Sequence, residues 1–287
     1  TFTGSTIVEG TYIWDLKPGA IRVVGDLANI ATTVAPASGS ISMIPYSSGN
    51  YKGNISRGNL GDGLQLLYPG VNPVGMATFN SVVNSSYNNG VIEFDIDLKL
   101  QIFVNNAWVN LNYPGMVVAD AESMSSGTGS NIEYISAETN GTAWQILDVR
   151  NESHLVDKNP LDYKLEIGND GKYFKLYNNT NVTNMGVQAV MFAQGTSSLH
   201  NVQMKGEGKT ALAIGFMAPF DNGDAPESYG TASHFMNNLI TNGVPISQNG
   251  VYSVVEQAIV TELTPSANIY INQQPDADGS TSHFSDT

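Results

Sequence analysis

Apolar and polar residues alternate along much of this chain. In GVIEFDIDLKLQIFV (90–104), Ile92, Phe94, Ile96, Leu98 and Leu100 fall on one side, and Glu93, Asp95, Asp97 and Lys99 on the other. That period of two is the pattern of a half-buried strand. Asn105-Asn106 follows, and AWVNLNY then alternates again, which predicts a β-hairpin. DYKLEIGNDGKYFKLYN predicts a second hairpin, turning at Asn169-Asp170-Gly171, where residues that tolerate positive φ cluster. LHNVQMKGEGKTALAIGFMAPF predicts a third, turning at Gly206-Glu207-Gly208, with a second arm from Ala211 to Phe216 that is apolar on both faces and so buried on both. Short helices are expected only at TASHFMNNLI (231–240) and SVVEQAIVTEL (253–263). Repeated hairpins without long helices predict an all-β fold, a lectin-like jelly-roll sandwich of two antiparallel sheets. The expected organisation is a sandwich over 1–220, with 221–287 packed on it or completing it as part of one structural domain.

Composition narrows the setting. The 287 residues are 41% apolar but only 13% charged, and Gly, Asn, Ser and Thr fill the polar positions, as in extracellular β proteins. A net charge of −14, with only 12 Lys and Arg scattered along the chain, argues against nucleic acid as a partner. No apolar run is long enough for a membrane-spanning helix, so membrane insertion is not expected. The chain opens TFTGSTIVEG, without Met or a charged-then-apolar leader, as expected of a piece excised from a longer protein. Cysteine is absent, which rules out disulfides, thiol catalysis and Cys-ligated zinc.

Three groups of residues are candidates for chemistry. Glu93, Asp95 and Asp97 put three carboxyls on one strand face, as in jelly-roll glycoside hydrolases that retain configuration; a solvated strand face explains the same letters. Asp224 and Glu227, with Asp276 and Asp278, lie in acidic, turn-rich stretches suited to Ca²⁺, although neither stretch has a complete EF-hand register. Asp120 and Glu122 follow an apolar strand, and Trp144 follows an Asn-Gly turn, a combination suited to a carbohydrate or peptide site; a core Trp with loop-exposed acids explains the same letters. Trp108 is expected in the core. The four histidines show neither H-x-H nor HExxH spacing, and no G-x-S-x-G elbow occurs.

The segments VVADAESM (117–124) and EYISAETNGTAWQIL (133–147), followed by LHNVQMKGEGKTALAIGF and GDAPESYG (223–230), resemble the second non-repetitive domain of CshA-type bacterial fibrillar adhesins. These anchors span roughly 115–235; the first hundred residues match in general strand character. The resemblance implies a lectin-like, ligand-binding β-sandwich, displayed as a monomeric domain of a long fibrillar, cell-wall-anchored surface protein. It also implies a host extracellular-matrix glycoprotein such as fibronectin, or a glycan, as the partner. No enzyme activity is expected. A glycoside hydrolase using Glu93, Asp95 and Asp97 is the alternative, and a structural spacer is another. Within FDNGDAPESYGTASH (220–234), Pro226 fixes φ and stops the preceding strand, while Asp224 and Glu227 offer acceptors for a helix cap or an ion.

Overall fold

The computed structural model describes residues 6–36, 41–45, 77–83, 90–120, 132–151, 163–178, 187–206, 209–216, 220–222, 233–235, 239–241, 244–254 and 263–265. It is all-β, built on two antiparallel sheets. The nine-stranded sheet runs β1 (Gly10–Lys17), β2 (Ile21–Val34), β5 (Val91–Val104), β13 (Ser198–Lys205), β8 (Tyr134–Thr139), β11 (Tyr173–Asn178), β10 (Tyr163–Gly168) and β18 (Gly250–Ser253), with β6 (Ala107–Leu111) also paired to β5. The six-stranded sheet runs β3 (Ile41–Pro45), β4 (Ala77–Val83), β14 (Lys209–Phe216), β7 (Gly115–Asp120), β12 (Val187–Gln194) and β9 (Gln145–Asn151). From β6 onward the chain passes repeatedly from one sheet to the other. One hydrophobic core joins inward residues of both sheets, among them Phe94, Ile96 and Phe174 of the first and Met116, Met191 and Leu212 of the second.

β5 shows why the alternating text folds this way. Its inward residues from Ile92 to Leu100 are buried, with Phe94 and Leu100 wholly so, while Asp97 and Lys99 are exposed. Each such apolar side chain contributes roughly 1.5–3 kcal/mol when buried, so a one-residue slip of register would be costly. Asn105 (φ 50) and Asn106 (φ 62) supply the left-handed turn into β6. The second hairpin is β10–β11, and its turn places Asn169, Asp170 and Gly171 at φ 49, 53 and 90.

The third expected hairpin does not form. β13 has both edges occupied, by β5 and by β8, and therefore offers none to β14, which pairs instead with β4 and β7 in the other sheet. β13 and β14 thus belong to different sheets. A helix over 231–240 is also absent: Ser233–Phe235 is strand β16, paired with β15 (Phe220–Asn222), and Leu239–Thr241 is strand β17, paired with β19 (Leu263–Pro265). Strand partners override the weak helical periodicity of that short segment. Farther on, β18 adds an edge to the nine-stranded sheet through β10. Trp108 is not a core residue; it lies half-buried on the β5–β6 arm, 5.1 Å from the Phe103 ring and 4.0 Å below the Arg22 guanidinium.

Candidate functional site

Four connections converge at one end of the sandwich: residues 140–144 between β8 and β9, 169–172 between β10 and β11, 195–197 between β12 and β13, and 244–249 before β18. Asn140 ties the first to the third. Its carboxamide oxygen accepts from the backbone N–H groups of Ser197 and Ser198, both at 3.1 Å. Thr142 completes the tie: its backbone N–H donates to the Gln194 carbonyl at 2.9 Å, and its hydroxyl accepts from the Gln194 N–H at 3.1 Å. Gly141 is required by this close approach, since a Cβ there would stand 2.3 Å from Thr196 Oγ1 and 2.4 Å from the Gln194 carbonyl oxygen.

Trp144 fastens the remaining connections. Its backbone N–H donates to the Gly171 carbonyl at 2.8 Å, its carbonyl accepts from the Ile246 N–H at 2.9 Å, and its indole Nε1–H donates to the Lys172 carbonyl at 2.8 Å. The ring meets Phe174 edge-on at 4.8 Å and has no exposed surface. The Asp170 N–H donates to Asn249 Oδ1 at 2.9 Å. Anchored in this way, the turns present exposed polar side chains, chiefly Asn140, Thr142, Asn169, Gln194, Ser197 and Asn249. The result is a platform of amides and hydroxyls, to which the exposed Asp170 and Lys172 of the 169–172 turn add one charge of each sign.

Beside this platform β5 changes partners. Asp97 faces Ser198 of β13, but Leu100 faces Leu111 of β6. In the interval, the Leu98 N–H donates to the Ser197 carbonyl at 2.9 Å, and the Leu98 carbonyl accepts from the Tyr113 hydroxyl at 2.8 Å. A side chain thus stands in for the missing strand. The interval opens as a cleft of about 480 Å³ whose walls include Leu98, Lys99, Asn112, Tyr113, Thr196 and Ser197. Burial, and to a lesser degree the charge of Asp97, pushes the Tyr113 phenol well above its ordinary range, so it remains a neutral donor.

The residues singled out in the sequence fall in different places. The backbone of Asp120 ends β7 opposite Leu212, whereas Trp144 precedes Gln145, the partner of Phe192. Along β12 these positions are separated by about four residues, or about 13 Å, so the fold sets Asp120 and Trp144 toward opposite ends of their sheet. Trp144, with no exposed surface, supports the turns from beneath and offers no face to a ligand. Glu122, Asp224, Glu227, Asp276 and Asp278 lie outside the described residues. Among the described residues, no three or more His, Asp or Glu side chains are grouped to hold a metal ion.

Glu93, Asp95 and Asp97 share the outward face of β5, and each is engaged by a neighbouring strand. Glu93 accepts from Gln203 Nε2, and Asp97 accepts from the Ser198 hydroxyl. Asp95 accepts from Asn29 Nδ2 at 2.6 Å and from the Asn201 N–H at 2.8 Å. His200 Nδ1 lies 3.9 Å from Asp95. Asn29 (φ 56) and Asn201 (φ 49) occupy bulges in β2 and β13 that flank Asp95. Beside them, Lys99 bonds Asp26 at 2.8 Å, and this contact, helped by the Thr11 hydroxyl, lowers the Asp26 carboxyl below its ordinary range. The acids are therefore members of an interstrand hydrogen-bond lattice. Sequence reading passed over Asn29, Asn201 and Tyr113; Asn inside strand-like text is the one local sign of such bulges.

The family model described as surface adhesin CshA non-repetitive domain 2 matches residues 3–217, well over half of the chain. The match takes in the first hundred residues and stops before GDAPESYG (223–230). No curated protein and no solved structure matches the chain.

Proposed function

The chain belongs to the surface adhesin CshA non-repetitive domain 2 family, and from that premise we propose that it is a non-catalytic binding module that attaches a bacterial surface to a host glycoprotein of the fibronectin kind or to a glycan. The contact surface in this reading is the end of the sandwich where the 140–144, 169–172 and 195–197 turns meet. The observation that carries it is the double anchoring of those turns, by Asn140 on Ser197 and Ser198 and by Trp144 on Gly171, Lys172 and Ile246. Loops held in one arrangement lose little conformational freedom on binding, which raises affinity without added contacts. Asp120 and Glu122 are proposed as further contacts. The setting proposed is a cell-wall-anchored fibril in which this domain acts as a monomer.

The three acids of the β5 triplet hydrogen-bond side chains and backbone of the neighbouring strands, and this interstrand role accounts for them without an active site. The test is binding of the folded chain to immobilised fibronectin and to a glycan array, with β-glucan digestion run in parallel. Saturable binding without release of reducing ends is expected. Failure on both surfaces, or turnover abolished by Glu93→Gln, would overturn the proposal.

A further inference from the structure

We propose that the cleft where β5 passes from β13 to β6 is a saccharide subsite for neutral sugar units. The inference rests on the adhesive reading of this end of the sandwich and gives it a ligand chemistry. A gap in strand pairing would ordinarily invite an extended peptide to add as a strand. Here the main chain is already satisfied, since Ser197 takes the Leu98 N–H and Tyr113 caps the Leu98 carbonyl. No backbone ladder is left at that point for a peptide to extend.

What the cleft presents is side chains. Asn112 is exposed on the cleft wall and makes no hydrogen bond to another described residue, so its carboxamide is available as donor and acceptor. The carboxamide oxygen of Asn110 is taken by Gln101 at 2.8 Å, which leaves its amino group as a donor. Ser197 Oγ accepts from Asn140 at 3.2 Å and keeps its own proton to donate. Leu111 and Tyr113, partly buried against the core, also line the cleft and add apolar carbon to its wall. Amides and a hydroxyl spaced over an apolar wall match a pyranose ring, whose hydroxyls both donate and accept and whose C–H faces are apolar. A volume of about 480 Å³ lies within the range of small-molecule sites.

Charge selects the neutral class. The cation in the wall, Lys99, is held by Asp26 at 2.8 Å, and the chain carries a net charge of −14. A carboxylated or sulfated sugar would meet repulsion with no uncommitted cation in the wall to offset it.

The experiment is protein-observed NMR on the full chain, titrated with methyl glycosides of neutral hexoses and N-acetylhexosamines, a sialylated trisaccharide and an extended peptide. At least one neutral glycoside is expected to shift the amides of 98–99, 111–113 and 195–197. Asn112→Ala should weaken that glycoside about tenfold, consistent with loss of its hydrogen bonds in a partly desolvated cleft, while the rest of the spectrum stays unchanged. Asn110→Ala should weaken it less. The inference falls if no neutral glycoside shifts these amides, if the sialylated sugar or the peptide binds there in preference, or if both variants bind as the parent does. Binding to an immobilised glycoprotein separates the two readings. Persistence after enzymatic removal of its glycans, with no glycoside response, removes the sugar subsite and keeps the adhesin; loss of binding on deglycosylation supports both, and failure to bind even the intact glycoprotein removes the adhesin as well.

Discussion

The hydroxyl of Tyr113 donates to the carbonyl of Leu98 at 2.8 Å, at the point along β5 where neither β6 nor β13 supplies a partner. One side chain thereby closes a main-chain gap and forms a wall of the cleft beside it. Tyr113→Phe keeps the ring and removes the donor, leaving the Leu98 carbonyl without its partner. A loss of about 1–2 kcal/mol is expected in urea denaturation, with no change in the slope of the transition. An unchanged midpoint would mean that water replaces the hydroxyl at no cost.

Gly141 sits where the 140–144 and 195–197 turns touch, and a Cβ there would come within 2.4 Å of the Gln194 carbonyl oxygen. Gly141→Ala must separate the two turns. The expected effect is a loss of about 1–3 kcal/mol, together with faster amide exchange over 140–144 and 195–197 and weaker ligand binding. Parent-like exchange in those segments would show that the turns do not depend on this contact.

Tyr134 is raised from an ordinary value of 10.0 to about 12, first by burial and then by the nearby Tyr173 and Glu93. Its folded state favours the neutral phenol, so the stabilisation is complete below the unfolded pKa and is lost as pH rises through the folded one. Thermal stability should therefore fall between pH 10.0 and about 12. An ultraviolet titration of the folded chain should show phenolate appearing late. Tyrosines that all titrate near the ordinary value before unfolding would contradict the buried setting.

The turn-rich acids Asp224 and Glu227, with Asp276 and Asp278, are proposed to bind Ca²⁺. Chelation should then lower the melting temperature, and added Ca²⁺ should restore it in proportion to ligand occupancy. Asp224→Asn combined with Asp276→Asn should abolish the response. A melting temperature indifferent to chelator removes calcium from the account.

Much of the fold is written locally. The alternation of β5 fixes which side chains face inward, and Asn105-Asn106 and Asn169-Asp170-Gly171 mark two turns because few other residues accept their positive φ. Partner choice is not local. β14 reads as the second arm of a hairpin with β13, yet β13 has no edge to give once β5 and β8 hold it. The cleft was hidden for the same reason: it arises because one strand has successive partners far apart in sequence, at Ser198 and Leu111. Trp144 was visible as a residue of consequence beside an Asn-Gly turn, but its letter does not tell whether the ring faces a ligand or the core. Asn29 and Asn201 look like ordinary strand-face polar residues until the bulges that flank Asp95 are seen.

The most direct test of binding through the anchored turns is hydrogen–deuterium exchange of the full chain with and without a saturating host glycoprotein such as fibronectin. Protection concentrated at 140–144, 169–172 and 195–197, with the outward face of β5 and β13 unchanged, is the predicted result. Protection confined to that outward face, around Glu93, Asp95 and Gln203, would contradict it.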